Sequence, residues 1–249
     1  MKIKNISGKK WLLGLFIVFL LIIISGYVFL RMNTYEAMPA AKALIEEDNI
    51  TQDEGWITIT PEEIEGHIVF YQGGLVETEA YLPLANKLSN EGYQVFLPQM
   101  PFNLAILDSD AIDKIKAAYP SEKDWWLAGH SLGGASASIY AKENYDEIAG
   151  LIFLAAYPSD DSDLSGSSLP TLSITGTRDG ILNQEQYKQT KELLPDNATY
   201  IAIDGGNHSN FGYYGFQAGD GESELSREEQ LDKVVDEIQT FINNKTRKD

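Results

Sequence analysis

The residues best able to do chemistry in this chain are Ser131, Asp179 and His208, each set in a glycine-containing segment. Gly129-His130-Ser131-Leu132-Gly133 has the Gly-X-Ser-X-Gly spacing. A serine held on a tight turn between a strand and a helix sits in a strained backbone conformation, and its neighbours must lack side chains for the turn to close. Trp125-Trp126-Leu127-Ala128 before it reads as a buried strand, and Ala135-Ser136-Ala137-Ser138-Ile139-Tyr140-Ala141 after it reads as a helix. That setting lifts a hydroxyl clear of a sheet and aims helix N-terminal amides at any anion formed there.

A serine hydroxyl becomes nucleophilic only beside a base. The chain has three histidines. His67 opens a strand at the end away from the serine, and the side chain of His130, adjacent to Ser131, must diverge from the hydroxyl. His208, in Asp204-Gly205-Gly206-Asn207-His208, is left as the general base. An acid that orients this imidazole must reach its second ring nitrogen from a neighbouring loop. Asp179, in Gly176-Thr177-Arg178-Asp179-Gly180, suits that role, and Asp204 on the histidine's own loop is the alternative. Arg178 is expected to form a structural ion pair. The oxyanion of an acyl-transfer intermediate needs two amide donors. Leu132 supplies one, and Gln72-Gly73-Gly74-Leu75 should supply the other through Gly74 or Leu75.

The elements that must position these groups alternate. Strands are expected at Trp56–Thr60 (an edge), His67–Tyr71, Tyr93–Leu97, Trp125–Ala128, Ile148–Ala155, Thr171–Thr175 and Ala198–Ile203. Helices are expected at Tyr81–Asn90, Ala111–Ala118, Ala135–Glu143, Gln184–Leu194 and Glu228–Asn243. Short apolar runs between amphipathic helices imply an α/β fold with a mostly parallel, doubly wound sheet covered on both faces. In such a sheet chemistry gathers at the carboxyl ends of the strands, where Ser131, Asp179 and His208 all fall.

Composition narrows the function. Absence of cysteine excludes a thiol nucleophile, a disulfide framework and a thiolate metal site. A formal charge of −18 argues against a nucleic-acid partner. Residues 11–30 are apolar and uncharged, long enough to cross a bilayer as a helix, and the lysines of the 1–10 stub precede them. This pattern predicts an uncleaved transmembrane signal anchor with a cytoplasmic N-terminus and an exported remainder; a cleaved signal peptide is the rival, disfavoured by the lack of a small-residue cleavage site. Residues 31–55 read as a helical spacer and 56–249 as the domain.

These motifs resemble the α/β-hydrolase superfamily, from about His67 to the closing helix. The likeness is greatest to small membrane-anchored or secreted bacterial hydrolases related to dienelactone hydrolases, in which the tract Asn207–Gln217 also has a counterpart. Those enzymes would suggest a cysteine nucleophile, whereas Ser131 occupies the position here, so their substrate preference does not carry over. The resemblance implies Ser131 as nucleophile, His208 as base and Asp179 as its orienter, working through an acyl-enzyme without cofactor or metal. Only Pro158–Pro170 stand where larger members insert a cap. The expected function is therefore a serine carboxylesterase for small or short-chain esters; a catalytically silent binding module and an acyltransferase are the alternatives. Phe211–Glu224 is expected to be structural or pocket-lining, because Gly219-Asp220-Gly221-Glu222 offers too few oxygen ligands for calcium.

Overall fold

The computed structural model describes residues 8–246. The chain forms two units, Met1–Thr34 and Tyr35–Asp249. In the first, helix α1 (Gly8–Met32) carries the apolar run. Its segment Trp11–Met32 has a mean hydropathy of 2.8 over its most apolar window and is a candidate membrane span. The first seven residues of the expected basic stub lie outside the described residues.

The second unit holds one eight-stranded sheet of order β1-β2-β4-β3-β5-β6-β7-β8. The strands are β1 (Ile50–Asp53), β2 (Trp56–Ile59), β3 (Gly66–Tyr71), β4 (Tyr93–Pro98), β5 (Trp125–His130), β6 (Gly150–Leu154), β7 (Thr171–Gly176) and β8 (Thr199–Ile203). β1 and β2 pair antiparallel, β2 runs antiparallel to β4, and all remaining pairs are parallel. The helices are α2 (Pro39–Lys42), α3 (Leu82–Asn90), α4 (Ala111–Ala118), α5 (Leu132–Asn144), α6 (Gln184–Gln189) and α7 (Arg227–Thr246).

Two expectations are corrected here. The stretch read as a helical spacer, residues 31–55, contributes α2 and β1 to this unit, so its fold begins at Tyr35 rather than at residue 56. Trp56–Ile59 is accordingly an inner strand, and β1 forms the edge. β1 escapes notice because Ile50 alone of its four residues is buried, too little for an alternating pattern to register.

Alternate residues of the central strands feed opposite cores. Ile68 and Phe70 of β3, with Trp126 and Ala128 of β5, pack beneath α3 and α7. Val69, Tyr71 and Leu127 face the other way, beneath α4 and α5. α7 presents Leu231, Val234, Val235, Ile238 and Ile242, the i, i+3, i+4, i+7 stripe of a helix lying on a sheet. α5 has no such stripe. Its buried face is Gly133, Gly134, Ser136, Ala137, Ser138 and Ala141 with Tyr140, small residues that let the helix lie close against the strands. Its two buried serine hydroxyls are satisfied within the helix, Ser136 by the Leu132 carbonyl and Ser138 by that of Ala135, while the Tyr140 hydroxyl donates to Asp113. Between β6 and β7 the chain makes only turns, so no helical cap stands over the carboxyl edge there.

Candidate active site

Ser131 follows β5 with φ 53° and ψ −122°. For a non-glycine residue this is a strained region that the surroundings must enforce. They do so by close approach: a Cβ on Gly129 would collide with the backbone of Gly133, and one on Gly133 with the Tyr71 and Gln72 carbonyl oxygens. Gly134 is equally crowded by Ala156. The elbow is thus wedged between β3 and β6, and its glycines are steric necessities.

His208 follows β8 and Asp179 follows β7. Nδ1 of His208 and Oδ2 of Asp179 are 2.9 Å apart, with the two side chains 2% and 0% exposed. The other Asp179 oxygen accepts the Ile181 and Leu182 amides at 2.9 and 2.8 Å, which fixes the carboxylate's plane. Asp204, the alternative acid, is exposed and accepts instead from the Thr177 hydroxyl. Nε2 of His208 is buried and has no hydrogen-bond partner among the described residues. Ser131 and His208 share a cleft of about 350 Å³ with Leu132, Ala135, Ala155, Ala156, Tyr157, Ile181, Leu182 and Asn183. Ser131 and His208 thus line one cleft without a closed hydrogen bond between them, as is common in unliganded sites.

Of the two amides expected beside Leu132, only one is available. Leu75, at φ 58°, donates its N–H to the Asn103 carbonyl at 2.8 Å, so it is corrected to a structural position. Gly73 donates to the Tyr81 hydroxyl at 2.9 Å. The Gly74 and Leu132 amides have no acceptor among the described residues, and a Cβ on Gly74 would lie 3.0 Å from the Leu132 side chain. Gly74 thus adjoins Leu132, and each keeps an uncommitted N–H. Gln72 braces the loop, its amide nitrogen donating to the Val76 carbonyl and to Asn103 Oδ1 while its oxygen accepts from Thr78.

Several supporting residues were invisible to spacing. The Tyr81 hydroxyl, having accepted from Gly73, sits 2.8 Å from His130 Nδ1 and donates there. That leaves the proton of a neutral His130 on Nε2, a buried nitrogen with no hydrogen-bond partner among the described residues. Burial first, then the neighbouring His208, holds the His130 imidazolium well below its ordinary range. The two imidazole rings lie 4.6 Å apart, so a cation on His130 beside His208 is avoided.

The histidine loop is bolted from two sides. Asp220 accepts from the Gly180, Gly221 and His208 amides through one oxygen and from the Ser209 amide and hydroxyl through the other. Burial opposes its ionisation, but these hydrogen bonds outweigh it and lower the carboxyl's pKa. The Gly-Asp-Gly tract, read as structural, therefore spends its carboxylate on protein donors. From α7, Gln230 grips the backbone of Asn207 at both N–H and C=O, at 3.0 and 2.8 Å. Arg227 donates to the Ser209, Gly212 and Gly215 carbonyls. Arg178 pairs with Glu224 at the surface.

With this geometry in place, the class is plain: residues 67–232 match the alpha/beta hydrolase family, and the chain belongs to that family. Solved structures with the same fold include MGS-MChE2, an alpha/beta hydrolase enzyme from a sediment metagenome of the Mar Chica lagoon in Morocco (18% identity, 80% of this chain and all of that one, TM-score 0.58). A Paleococcus ferrophilus monoacylglycerol lipase (16% identity, 75% and 98% covered, TM-score 0.58) and Est1E from Butyrivibrio proteoclasticus with ferulic acid bound (14% identity, 82% and 98%, TM-score 0.60) are also similar. No curated protein sequence matches.

Proposed function

We propose that the protein is a serine carboxylesterase acting through Ser131, His208 and Asp179. The observation that carries the reading is the buried His208–Asp179 pair, whose histidine lines the same cleft as Ser131 and keeps an unpartnered Nε2. His208 takes the Ser131 proton as Oγ attacks the ester carbonyl, and Asp179 holds Nδ1–H and stabilises the imidazolium. The tetrahedral oxyanion is received by the Leu132 and Gly74 amides. His208 then protonates the leaving alcohol, and water, deprotonated in turn, releases the acid from the acyl-enzyme.

The cleft limits the acyl group. Its alanines, Leu182 and Tyr157 make an apolar, uncharged wall, and about 350 Å³ lies near the lower end of small-molecule sites, which supports short or compact acyl chains. The esterase and lipase names of the similar structures accord with an ester substrate. In the same reading residues 11–30 form an uncleaved anchor, residues 1–10 stay in the cytoplasm, and the hydrolase unit lies outside the cell membrane.

The test is hydrolysis of p-nitrophenyl acetate and butyrate by the full chain in detergent, with Ser131→Ala as comparator. Turnover lost in Ser131→Ala with an unchanged melting profile is expected. No turnover across a short-chain series, together with no fluorophosphonate labelling of Ser131, would sink the enzyme reading and favour a silent binding module. Product trapped on an added alcohol faster than on water would move it to acyl transfer.

A further inference from the structure

The hydrolase unit leaves three large apolar side chains in water within six positions. Phe102, Ile106 and Leu107 are 55%, 43% and 55% exposed. They lie on two single-turn helices, Pro101–Asn103 and Ala105–Leu107, that follow β4. Ala105 and Met100 are buried and anchor the segment. Phe102 and Asn103 both hold positive φ, 54° and 57°, so the backbone accepts strain in presenting this surface. Apolar clusters of this kind mark contact with a partner or a membrane.

The segment is fastened to the candidate oxyanion loop. Asn103 accepts the Leu75 amide through its backbone carbonyl and Gln72 through its side chain. On its other side Leu75 accepts the Tyr35 amide at 2.7 Å, and the Tyr35 carbonyl accepts from Glu77. Tyr35 is the first residue of this unit. The chain therefore enters the domain one residue away, through hydrogen bonds, from the loop that bears Gly74, and two such steps from the apolar segment. Only Asn33 and Thr34 stand between Tyr35 and the end of the candidate span at Met32. The covalent link from that span therefore enters the unit at the strand bridge to the Leu75 loop.

Charge points the same way. Residues 99–107, Gln-Met-Pro-Phe-Asn-Leu-Ala-Ile-Leu, contain no ionisable group, in a protein of net charge −18. An acidic surface is repelled from anionic head groups, and an uncharged apolar stretch meets no such barrier at zwitterionic lipid. Across the site, Phe216 is 53% exposed on the loop after His208, which is tied back by the Gln217 amide donating to Ser209 Oγ.

We propose that the Pro101–Leu107 segment docks on a zwitterionic lipid surface, so that the cleft takes esters presented at the bilayer interface rather than from bulk water. The docking stands on the exposed segment and the tether; the substrate half rests on the esterase reading. Phe102, Ile106 and Leu107 would enter the head-group region, and an amphiphilic ester would move sideways from the lipid into the cleft, placing its carbonyl at Ser131 while its apolar remainder stays in the membrane.

Because the chain has no cysteine, a single introduced thiol reports its own surroundings. Full-length L107C, labelled with an environment-sensitive fluorophore and reconstituted in phosphatidylcholine vesicles, should shift to the blue and be quenched by brominated phosphatidylcholine. S121C, on the exposed loop entering β5 at the opposite edge of the sheet, should show neither. Equal, weak quenching at both positions overturns the docking. In a second arm, Phe102→Ser, Ile106→Ser and Leu107→Ser combined should cut hydrolysis of a monoacyl ester dissolved in the vesicles by roughly tenfold or more. Turnover of soluble p-nitrophenyl acetate should be unchanged. Equal loss on both substrates, or no loss on either, overturns the interfacial route. The quenching arm needs no turnover, so inactivity toward all esters with no labelling of Ser131 would fail the esterase reading while leaving the docking decided on its own.

Discussion

Replacing Tyr81 by phenylalanine removes one oxygen from the interior and leaves two polar groups behind. The hydroxyl accepts the Gly73 amide at 2.9 Å and meets His130 Nδ1 at 2.8 Å, and the residue is 1% exposed, so bulk water cannot take its place. An unpaired buried donor or acceptor costs about 1–3 kcal/mol. Two of them, allowing for partial relaxation, put the expected loss at about 2–4 kcal/mol, which for a domain of this size is roughly 5–15 °C in melting temperature. The substitution also frees the peptide that sets the direction of the Gly74 amide. Displacing an oxyanion donor weakens transition-state stabilisation without touching the cleft that holds the acyl group, so kcat should fall by about tenfold or more with KM little changed. Differential scanning calorimetry at neutral pH, paired with steady-state hydrolysis of p-nitrophenyl butyrate, reads both quantities. A melting temperature within about 1 °C of the native value would refute the reasoning, since it would mean that neither group depends on the hydroxyl. A lower melting temperature with kcat intact would leave the buried bond standing and remove its link to the oxyanion loop.

Three further outcomes are expected. Asp179→Asn should reduce kcat by about 10³–10⁴-fold through loss of the correct imidazole tautomer, while Asp204→Asn, at an exposed site bonded only to Thr177, should leave turnover near native; equal losses would remove Asp179 from its role. Gly133→Ala drives a methyl into the Tyr71 and Gln72 carbonyls and should destabilise by about 3 kcal/mol or more, read as a lower urea midpoint; an unchanged midpoint would contradict the wedged elbow. Stability should also fall in mild acid. Burial lowers the pKa of both His67 and His130, so below about pH 6.5 the unfolded chain binds protons that the folded one refuses. This contribution is complete above that pH and is lost as the pH drops toward the folded values. The lowered pKa of Asp220 adds a separate loss at still lower pH, within and below the ordinary carboxylate range. A urea midpoint flat from about pH 8 to about pH 5 would contradict the histidine assignment.

What could be read from the chain, and what could not, divides by distance along it. The Gly-X-Ser-X-Gly elbow is legible because the glycines that answer its crowding stand within five residues, even where the crowding atoms, as at Gly133, belong to a distant strand, and Ala111–Ala118 is a helix with those bounds because its apolar face repeats locally. Helices at Gln184 and Tyr81 blur at one end, where the chain tightens into 3₁₀ turns, Thr190–Leu193 and Thr78–Tyr81. The choice between Gly74 and Leu75 was not legible, because it is made by the Asn103 carbonyl on another loop. Tyr81 is likewise silent in sequence: its partner His130 lies 49 positions away, and a buried tyrosine looks like core until its hydroxyl is located. Asp220 could have been suspected from a lone acid between glycines just downstream of His208, where a tight turn brings a carboxylate back onto the loop's own amides.

The non-glycine residues with positive φ among those described are Leu75, Phe102, Asn103, Ser131 and Ala155, and each follows the carboxyl end of a strand from β3 to β6. Strain of this kind is typically worth on the order of 1–3 kcal/mol per residue. The protein thus carries a gradient of internal tension, relaxed in its sheet and helices and concentrated along the rim that would meet substrate. Heating draws first on that reserve. The rim can slacken while the sheet still holds, so catalytic competence and foldedness should part company on warming, with turnover fading several degrees before the cooperative melt.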